Sequence, residues 1–426
     1  MMRKIIVSTL VIVIISSTVC AQNKISMPAK QYLLEGVDNL FFVQPVMKYD
    51  YLAGDVVRFE GDANYAKAGR LEKSASITSP TNGEVIEVKL YDGQSFEVKD
   101  SAKSVICSAN TTTDNGPLVI QFFGDSFTKG CYFKDAFLER GLVPNVKLVG
   151  MRPVADHQGE GHEGRGGWTL PKYMEASGRS NDSYNPFVQP EGKFKFWGAV
   201  EFWRTSVMIN ITGGKGIPFS TRYNIGEFDT SRFGEDGFLL SPQPNDMMYC
   251  GQSDKFVAWN GKRWIQVKEP EQWSFNYGRY LDMWEFDAPD FLVIMLGLND
   301  FRDLSLPFDF ETWNAMVETI LASYKAAVPT GKLLLSTPCT SCGVLDNDSG
   351  AFTTRQNAMM WHVRDNVINH FDCRESEDIY VVDASIAIDN ENGYNRKGDL
   401  QTGNPHPYQS YPQLGVPIAA CVQYLR

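Results

Sequence analysis

Long apolar runs and basic tracts are both missing from the sequence beyond its first 21 residues. No later apolar stretch approaches the roughly 20 residues that a membrane-spanning helix needs, so we expect no membrane span. Acidic residues outnumber basic residues by 51 to 40, which gives a net charge of −11. A chain of this charge is not expected to bind nucleic acid, or an anionic membrane surface, without specificity.

Cysteine is scarce, with eight in the chain, and Cys20 lies in the N-terminal segment described next. The others are odd in number, so at least one thiol stays free or pairs between chains. Cys339 and Cys342 form a CTSC motif, which fits a redox pair, a short disulfide or half a zinc site. Because no second such motif and no nearby histidine completes a zinc set, we expect no metal and no cofactor.

Residues 1–21 have the pattern of a secretory signal peptide: a basic start, an apolar core and small residues before Ala21. Cleavage after Ala21 would give a secreted or periplasmic protein. Acylation of Cys20 as a lipoprotein is the alternative, although Val19 is bulky for the position before a modified cysteine.

The segment 26–115 consists of short strand-like pieces separated by turns. Apolar and polar residues alternate from Val85 to Leu90 and are followed by Asp92 and Gly93, which predicts a hairpin. We predict a β-sandwich-like accessory domain here. A carbohydrate-binding role and a spacer role are both open.

From 117 to 426, apolar strands alternate with amphipathic helices, which predicts an α/β fold with a doubly wound (flavodoxin-like) parallel sheet. The sequence predicts strands at 118–123, 146–151, 291–296, 332–339 and 379–385, and helices after Ser126, over 313–324, over 356–371 and over 411–425. In such a fold, ligands bind at the carboxyl ends of the strands.

A long stretch at 177–290 interrupts this alternation and is rich in aromatic residues and glycine. We predict an insertion that builds a wall or lid around a site, with a small hairpin around Asn260. Its tryptophans fit either sugar stacking or simple packing: Trp197, Trp203, Trp259, Trp264 and Trp273.

Ser126 lies in PLVIQFFGDSFTKG, where an apolar strand meets a turn of small residues and then a predicted helix carrying Tyr132 and Phe133. A serine at this point is close to backbone amides that can stabilise a negative charge. The plainer interpretation is that Asp125 or Ser126 only caps the helix. Chemistry at this serine requires a base and an oxyanion site from elsewhere in the chain.

Three further positions at strand ends or loops supply those groups. His406, in GNPHPYQSYPQLG, is the candidate base, and Asn299, in GLND, can point its side-chain amide into a cleft. The backbone amides of Gly167 and Ser126 can add two donors. The other polar residues of the glycine-rich segment, namely His157, His162 and Arg165, are interpreted as solvated loop residues, with metal or anion binding as the alternatives.

These four blocks, FFGDSFT, GRGGWT, GLND and HPYQSYPQLG, resemble those of the SGNH, or GDSL-type, hydrolase family and occur in the same order. The resemblance covers about 117–426 and leaves the N-terminal segment outside. It implies an esterase in which Ser126 is the nucleophile and His406 the general base. It also implies an oxyanion hole made of the Ser126 and Gly167 amides and the Asn299 side chain.

One position departs from the family pattern. The family usually carries an aspartate three residues before the histidine, and this chain has Gly403 there. Asp399 is the preferred substitute, with Asp383 and Asp389 further back. A Ser-His dyad supported by a backbone carbonyl or by Asn404 is also viable.

The first hypothesis is therefore an exported serine esterase that hydrolyses carboxylic esters, with acetyl groups on a polysaccharide or a small carbohydrate as the expected substrate. A lipid or lysophospholipid esterase is the enzymatic alternative. A noncatalytic glycan-binding protein on a hydrolase scaffold is the alternative of a different class, and it is prompted by the missing aspartate. The sequence leaves the oligomeric state open.

Overall fold

The structure, a computed structural model, describes most of the chain beyond its N-terminus. The described residues are 24–48, 54–62, 66–67, 74–112, 114, 116–176, 184–199, 232–234, 238–250, 254–339, 354–389, 393–394, 396–397, 400–401 and 406–426. The predicted signal peptide, residues 1–21, lies outside them. No helix within these ranges is long and apolar enough to cross a membrane.

The strands between residues 30 and 109 form two sheets over an apolar core. The elements are β1 (Lys30–Leu34), β2 (Asn39–Phe42), α1 (Val43–Val46), β3 (Val56–Gly61), β4 (Ala66–Lys67), β5 (Ser74–Ile77), β6 (Val85–Tyr91) and β7 (Val98–Ala109). One sheet has the order β1-β7-β6-β3 and the other the order β2-β5-β4. The predicted hairpin is confirmed, because β6 and β7 pair antiparallel on either side of Asp92. Phe59, Ile86 and Val88 lie in the core between these strands.

The next stretch contains the first strand of the main sheet and differs from the sequence prediction, since the strand predicted at 146–151 ends at Leu148. Its elements are β8 (Leu118–Gly124), α2 (Ser126–Lys129), a π-helical turn (Asp135–Glu139), β9 (Val146–Leu148), β10 (Arg152–Val154), β11 (His157–Gly164) and α3 (Leu170–Met174). The predicted single helix after Ser126 is broken, because Cys131 adopts a left-handed φ of +54°. The predicted glycine-rich loop is largely a strand, since β11 pairs with both β10 and β8.

Smaller sheets occupy the described part of 177–290. The elements are β12 (Val188–Pro190), β13 (Lys195–Ala199), β14 (Asp246–Cys250), β15 (Lys255–Trp259), β16 (Trp264–Val267), β17 (Trp273–Phe275) and α4 (Tyr277–Trp284). The hairpin predicted around Asn260 is confirmed by the antiparallel pairing of β15 with β16. Trp197 packs in the interior and donates from Nε1 to Asp246 Oδ1 at 2.9 Å, whereas Trp203 lies outside the described residues.

Strands and helices alternate through the rest of the chain. The elements are β18 (Phe291–Met295), α5 (Leu298–Phe301), α6 (Phe310–Ala327), β19 (Lys332–Ser336), α7 (Thr354–Phe371), β20 (Ile379–Val382), β21 (Arg396–Lys397), β22 (Leu400–Gln401) and α8 (Tyr411–Leu425). Every residue of β18 and β20 is buried, as their apolar sequences predict. Cys339 is buried beyond the end of β19, and Cys342 lies outside the described residues.

The main sheet joins strands from both ends of this α/β region. Its order is β10-β11-β8-β18-β19-β20, and β9 pairs with β8 on the same side as β11. All pairings are parallel except that of β10 with β11. The carboxyl ends of β8, β11, β18, β19 and β20 therefore lie along one edge of the sheet. This edge is where the candidate residues are found.

Candidate active site

Ser126 is the first residue of α2, directly after the turn that ends β8. The Asp125 carboxylate accepts a hydrogen bond from Phe127 N at 2.9 Å and so caps the helix. Capping is thus the role of Asp125, and the Ser126 side chain, which is only half-buried, is not the cap. The serine is left available at the carboxyl edge of the sheet.

Two glycines let α2 lie against the sheet. A Cβ on Gly124 would come within 2.3 Å of Met295 O on β18. A Cβ on Gly164 of β11 would come within 2.1 Å of Lys129 N at the end of α2. Because both obstacles are backbone atoms, no side-chain movement could relieve them. Glycine at these two positions is what allows the tight turn at Ser126.

Gly167 lies in an exposed turn after β11. Trp168 N donates to Arg165 O at 3.1 Å, and Gly167 has a φ of +75°, a conformation that favours glycine. Arg165 N in turn donates to Gly124 O at 2.8 Å. This bond ties the Gly167 turn to the last residue of β8, two positions before Ser126.

Two of the three residues that were expected to be solvated are buried, whereas His157 is partly exposed. Arg165 is 2% exposed and pairs with Glu163 at 3.0 Å, so it meets neither solvent nor a substrate anion. His162 is 3% exposed, and its Nδ1 accepts from Gly164 N at 2.9 Å. Burial lowers the pKa of His162 to about 3, so its imidazole is neutral. The sequence interpretation was wrong for Arg165 and His162, because strand pairing removes this end of the segment from water.

Asn299 lies in the first turn of α5 and links the two turns. Its Nδ2 donates to Trp168 O at 3.1 Å and lies 3.5 Å from Asp125 Oδ2. The neighbouring Asp300 accepts from Leu170 N at 2.7 Å and so fixes the start of α3. The side-chain amide of Asn299 is therefore held between the residue before Ser126 and the residue after Gly167.

His406 reaches the same place from the far end of the chain. Its ring stacks on Phe127, the residue after Ser126, with centroids 5.2 Å apart and an interplanar angle of 8°. Its Nδ1 is hydrogen-bonded to the Tyr132 hydroxyl. Burial, together with the charge of Arg302, lowers the pKa of His406 to about 4. The imidazole is therefore neutral at neutral pH, the state in which it can accept a proton.

The structure thus brings together the four blocks that the sequence singled out. Ser126 and Gly167 are connected through Gly124, Asn299 contacts the neighbours of both, and His406 packs on the residue after Ser126. Their parts in catalysis stay predictions.

The acid expected to orient His406 is a different matter. Asp399 lies outside the described residues, as does Asn404. Asp383 is described and is engaged elsewhere: Arg364 Nη2 donates to its Oδ2 at 2.6 Å, and Gln31 Nε2 donates to the same oxygen at 3.0 Å. No group of three or more potential metal ligands is clustered anywhere in the described ranges.

Two buried carboxyl groups lie beside the site. Burial is the main cause that raises the pKa of Asp125 to about 7 and that of Asp300 to about 6. Each carboxyl therefore keeps a proton more readily than an exposed one does. The negative charge beside Ser126 is therefore limited. This matters because an oxyanion formed there would add another negative charge.

Sequence reasoning missed the aromatic residues that surround the imidazole. Tyr132 was expected on a helix face, and Tyr411 only as the start of the last helix. In the structure the Tyr132 hydroxyl contacts both His406 Nδ1 and the Tyr411 hydroxyl. Two closely spaced tyrosines after His406, Tyr408 and Tyr411, are the only sequence feature that hints at such a cluster.

Comparison with known proteins gives structural similarity alone. No family model matches the chain, and no curated protein matches it. Among solved structures, it is similar to a peptidoglycan O-acetylesterase at 13% identity, over 74% of this chain and 93% of that one, with a TM-score of 0.32. It is also similar to a carbohydrate esterase family 2 enzyme with a carbohydrate-binding domain from Corynascus thermopiles (Myceliophthora fergusii). That match has 13% identity and a TM-score of 0.29, over 94% of this chain and 97% of the other. TM-scores this low carry no conclusion about the function of this chain.

Proposed function

We propose that this protein is a serine esterase of the SGNH type. Ser126 would be its nucleophile and His406 its general base. The observation that carries the proposal is the convergence at one sheet edge of a half-buried serine, a neutral imidazole and a fixed side-chain amide. The strand order of the main sheet supports the doubly wound arrangement that the sequence predicts.

The reaction has two steps, which are acylation of Ser126 and hydrolysis of the acyl-enzyme. Ser126 Oγ attacks the carbonyl carbon of the ester while His406 Nε2 accepts the hydroxyl proton. The negative charge on the carbonyl oxygen is stabilised by the Asn299 amide and by the backbone N–H groups of Ser126 and Gly167. The C–O bond to the alcohol then breaks, and His406 returns the proton to that alcohol. Water then attacks the acyl carbon while His406 accepts its proton. His406 returns this proton to Ser126 as the bond from the acyl carbon to Ser126 Oγ breaks, and the acid is released.

Acetyl groups on a carbohydrate are the substrate that the surroundings favour. A pocket of about 20 Å³ lies between Asp125 and Phe127, the two neighbours of Ser126, and Leu298 and Pro338 line it as well. Its size suits a small acyl group such as acetyl. Beside His406, the Tyr408 ring is 44% exposed and offers an aromatic face to a sugar.

Ser126→Ala tests the proposal, because this variant removes the nucleophile and little else. We expect the wild-type protein to cleave p-nitrophenyl acetate and to be labelled by a fluorophosphonate, and we expect both reactions to be lost in the variant. Carbohydrate affinity in a wild-type protein that is not labelled would instead support the glycan-binding alternative. Comparison of acetylated xylan and pectin with long-chain esters separates the carbohydrate substrate from the lipid one.

We also propose that the protein is exported and that the leader is cleaved after Ala21. The charge and apolar pattern of residues 1–21 supports this. Amino-terminal sequencing of the secreted or periplasmic protein tests it, and a retained leader or an acylated Cys20 would contradict it.

A further inference from the structure

The Tyr132 hydroxyl contacts His406 Nδ1. In a serine hydrolase this nitrogen usually faces a carboxylate, which fixes the tautomer and the direction of the ring. We infer that Tyr132 is a positioning residue for His406, through the contact of its hydroxyl with Nδ1. This inference rests on the proposed function, because it concerns how the proposed base is held.

The protonation state of Tyr132 suits this part. Its side chain is 4% exposed, and burial raises the pKa of the phenol, so the hydroxyl stays protonated. The hydroxyl also bonds to the Tyr411 hydroxyl. If Tyr132 Oη donates to Tyr411, its oxygen accepts from His406 Nδ1–H. This places the only imidazole proton on Nδ1, so that Nε2 is the nitrogen that accepts the proton of Ser126.

Aromatic packing holds the imidazole in the same direction. Phe127 stacks on its face, and the edge of Tyr132 meets it at 89°, with ring centroids 5.7 Å apart. Tyr132 is itself fixed, because it packs edge-on against Phe127 at 5.2 Å and stacks on Tyr411. The phenol therefore cannot swing away from Nδ1 without disturbing several rings.

A described charge also acts on the imidazole. Arg302 acts on His406 through its positive charge and disfavours the imidazolium. Asp383 and Asp389 are the described candidates for the acid, and Asp383 is bound to Arg364. A neutral phenol can orient the ring but adds no negative charge to stabilise the imidazolium.

Tyr132→Phe is the test, because it keeps the ring and removes only the hydroxyl. We expect kcat for p-nitrophenyl acetate to fall roughly 10-fold, the equivalent of one neutral hydrogen bond, with KM unchanged. The rate of fluorophosphonate labelling of Ser126 should fall in parallel. Tyr324→Phe is the matched control: this buried phenol donates to Pro289 O at 2.9 Å at the opposite end of β18, and its loss should leave kcat unchanged.

Nitrogen-15 NMR of the imidazoles gives a readout that a merely structural role would not move. The chain has five histidines, so a His406→Gln sample assigns the signal. We expect wild-type His406 to carry its proton on Nδ1, and Tyr132→Phe to give a mixture of tautomers. This spectrum is decisive on the wild-type protein alone if the variant fails to fold: a proton on Nε2 overturns the inference.

Two further variants separate the possible failures. If Asp399→Asn lowers kcat by about 10⁴-fold while Tyr132→Phe leaves it unchanged, an acid orients the base and the inference is wrong. If Ser126→Ala retains full esterase activity, the proposed function itself is wrong. Loss of activity in Ser126→Ala with an unchanged Tyr132→Phe would overturn the positioning role and leave the esterase standing.

Discussion

At the scale of single residues, the environment of His406 determines the conditions under which the site can work. The imidazole is half-buried and packed among aromatic rings, and the positive charge of Arg302 acts on it. Both desolvation and a like charge disfavour the imidazolium. The lowered pKa of about 4 has a direct consequence for the proposed base.

We expect kcat/KM for p-nitrophenyl acetate to stay constant as the pH falls from 7 to about 5 and to decline below that. The base must be neutral to accept a proton, and its pKa in the folded protein is about 4 instead of the usual 6.5. Protonation therefore removes activity only as the pH falls through that lower value. The pH–rate profile measures this.

Arg302→Gln is the matching control for that profile. Removing the positive charge should raise the pKa of His406, so the decline in kcat/KM should begin at a higher pH than in the wild-type protein. If kcat/KM of the wild-type protein instead declines around pH 6.5, and Arg302→Gln does not change this, the pKa of His406 is not lowered by burial and by Arg302.

At the scale of elements, the short helix α2 must pack closely against the strand β11 to hold Ser126 at the carboxyl ends of the strands. Apolar runs made β8, β18, β19 and β20 predictable, because strands buried on both faces need little beyond such a run. The break after α2 and the strand β11 were not predictable. Cys131 leaves the helical region, and the glycine-rich β11 gains its stability from β8 and β10 instead of from its own sequence. Contacts between residues as distant as Tyr132 and His406 depend on the whole fold.

Gly164→Ala should disturb the site without touching a catalytic group. The new Cβ would lie 2.1 Å from Lys129 N and 2.4 Å from Thr128 C, so α2 would have to move. Overpacking of this kind costs about 1–3 kcal/mol. A displacement of the nucleophile by about 1 Å can lower kcat by about 10²-fold. Urea unfolding and kcat measured on the same samples check both effects.

Gly278→Ala provides the comparison for this substitution. Gly278 lies in α4, and its added Cβ would meet Ala327 Cβ at 3.4 Å, an ordinary contact. We expect no loss of kcat in this variant. Normal stability and kcat in Gly164→Ala would show that α2 is not held against β11 as the structure has it.

At the scale of the whole molecule, a buried polar network joins the N-terminal strands to the α/β region. Arg364 on α7 pairs with Asp383 just beyond β20, and both side chains are 0% exposed. Arg364 Nη2 also donates to Ser26 O at 3.0 Å, and Gln31 Nε2 on β1 donates to Asp383. The two regions are therefore linked by hydrogen bonds that neither can satisfy alone. Whether segment 26–115 folds as a separate domain stays a prediction.

Asp383→Asn should destabilise the protein strongly and spare the chemistry. The substitution leaves the Arg364 charge buried without its counter-ion, which costs about 3–5 kcal/mol. Urea unfolding should show this loss.

Asp378→Asn is the control for stability. It removes the partner of Lys325 in a partly exposed pair, and it should cost at most about 1 kcal/mol. At low temperature, kcat of folded Asp383→Asn should equal that of the wild-type protein, because Asp383 is bound to Arg364 and not to His406. If Asp383→Asn instead loses kcat and keeps its stability, Asp383 belongs to the catalytic site. The hydrogen bonds around it then contribute little to the stability of the fold.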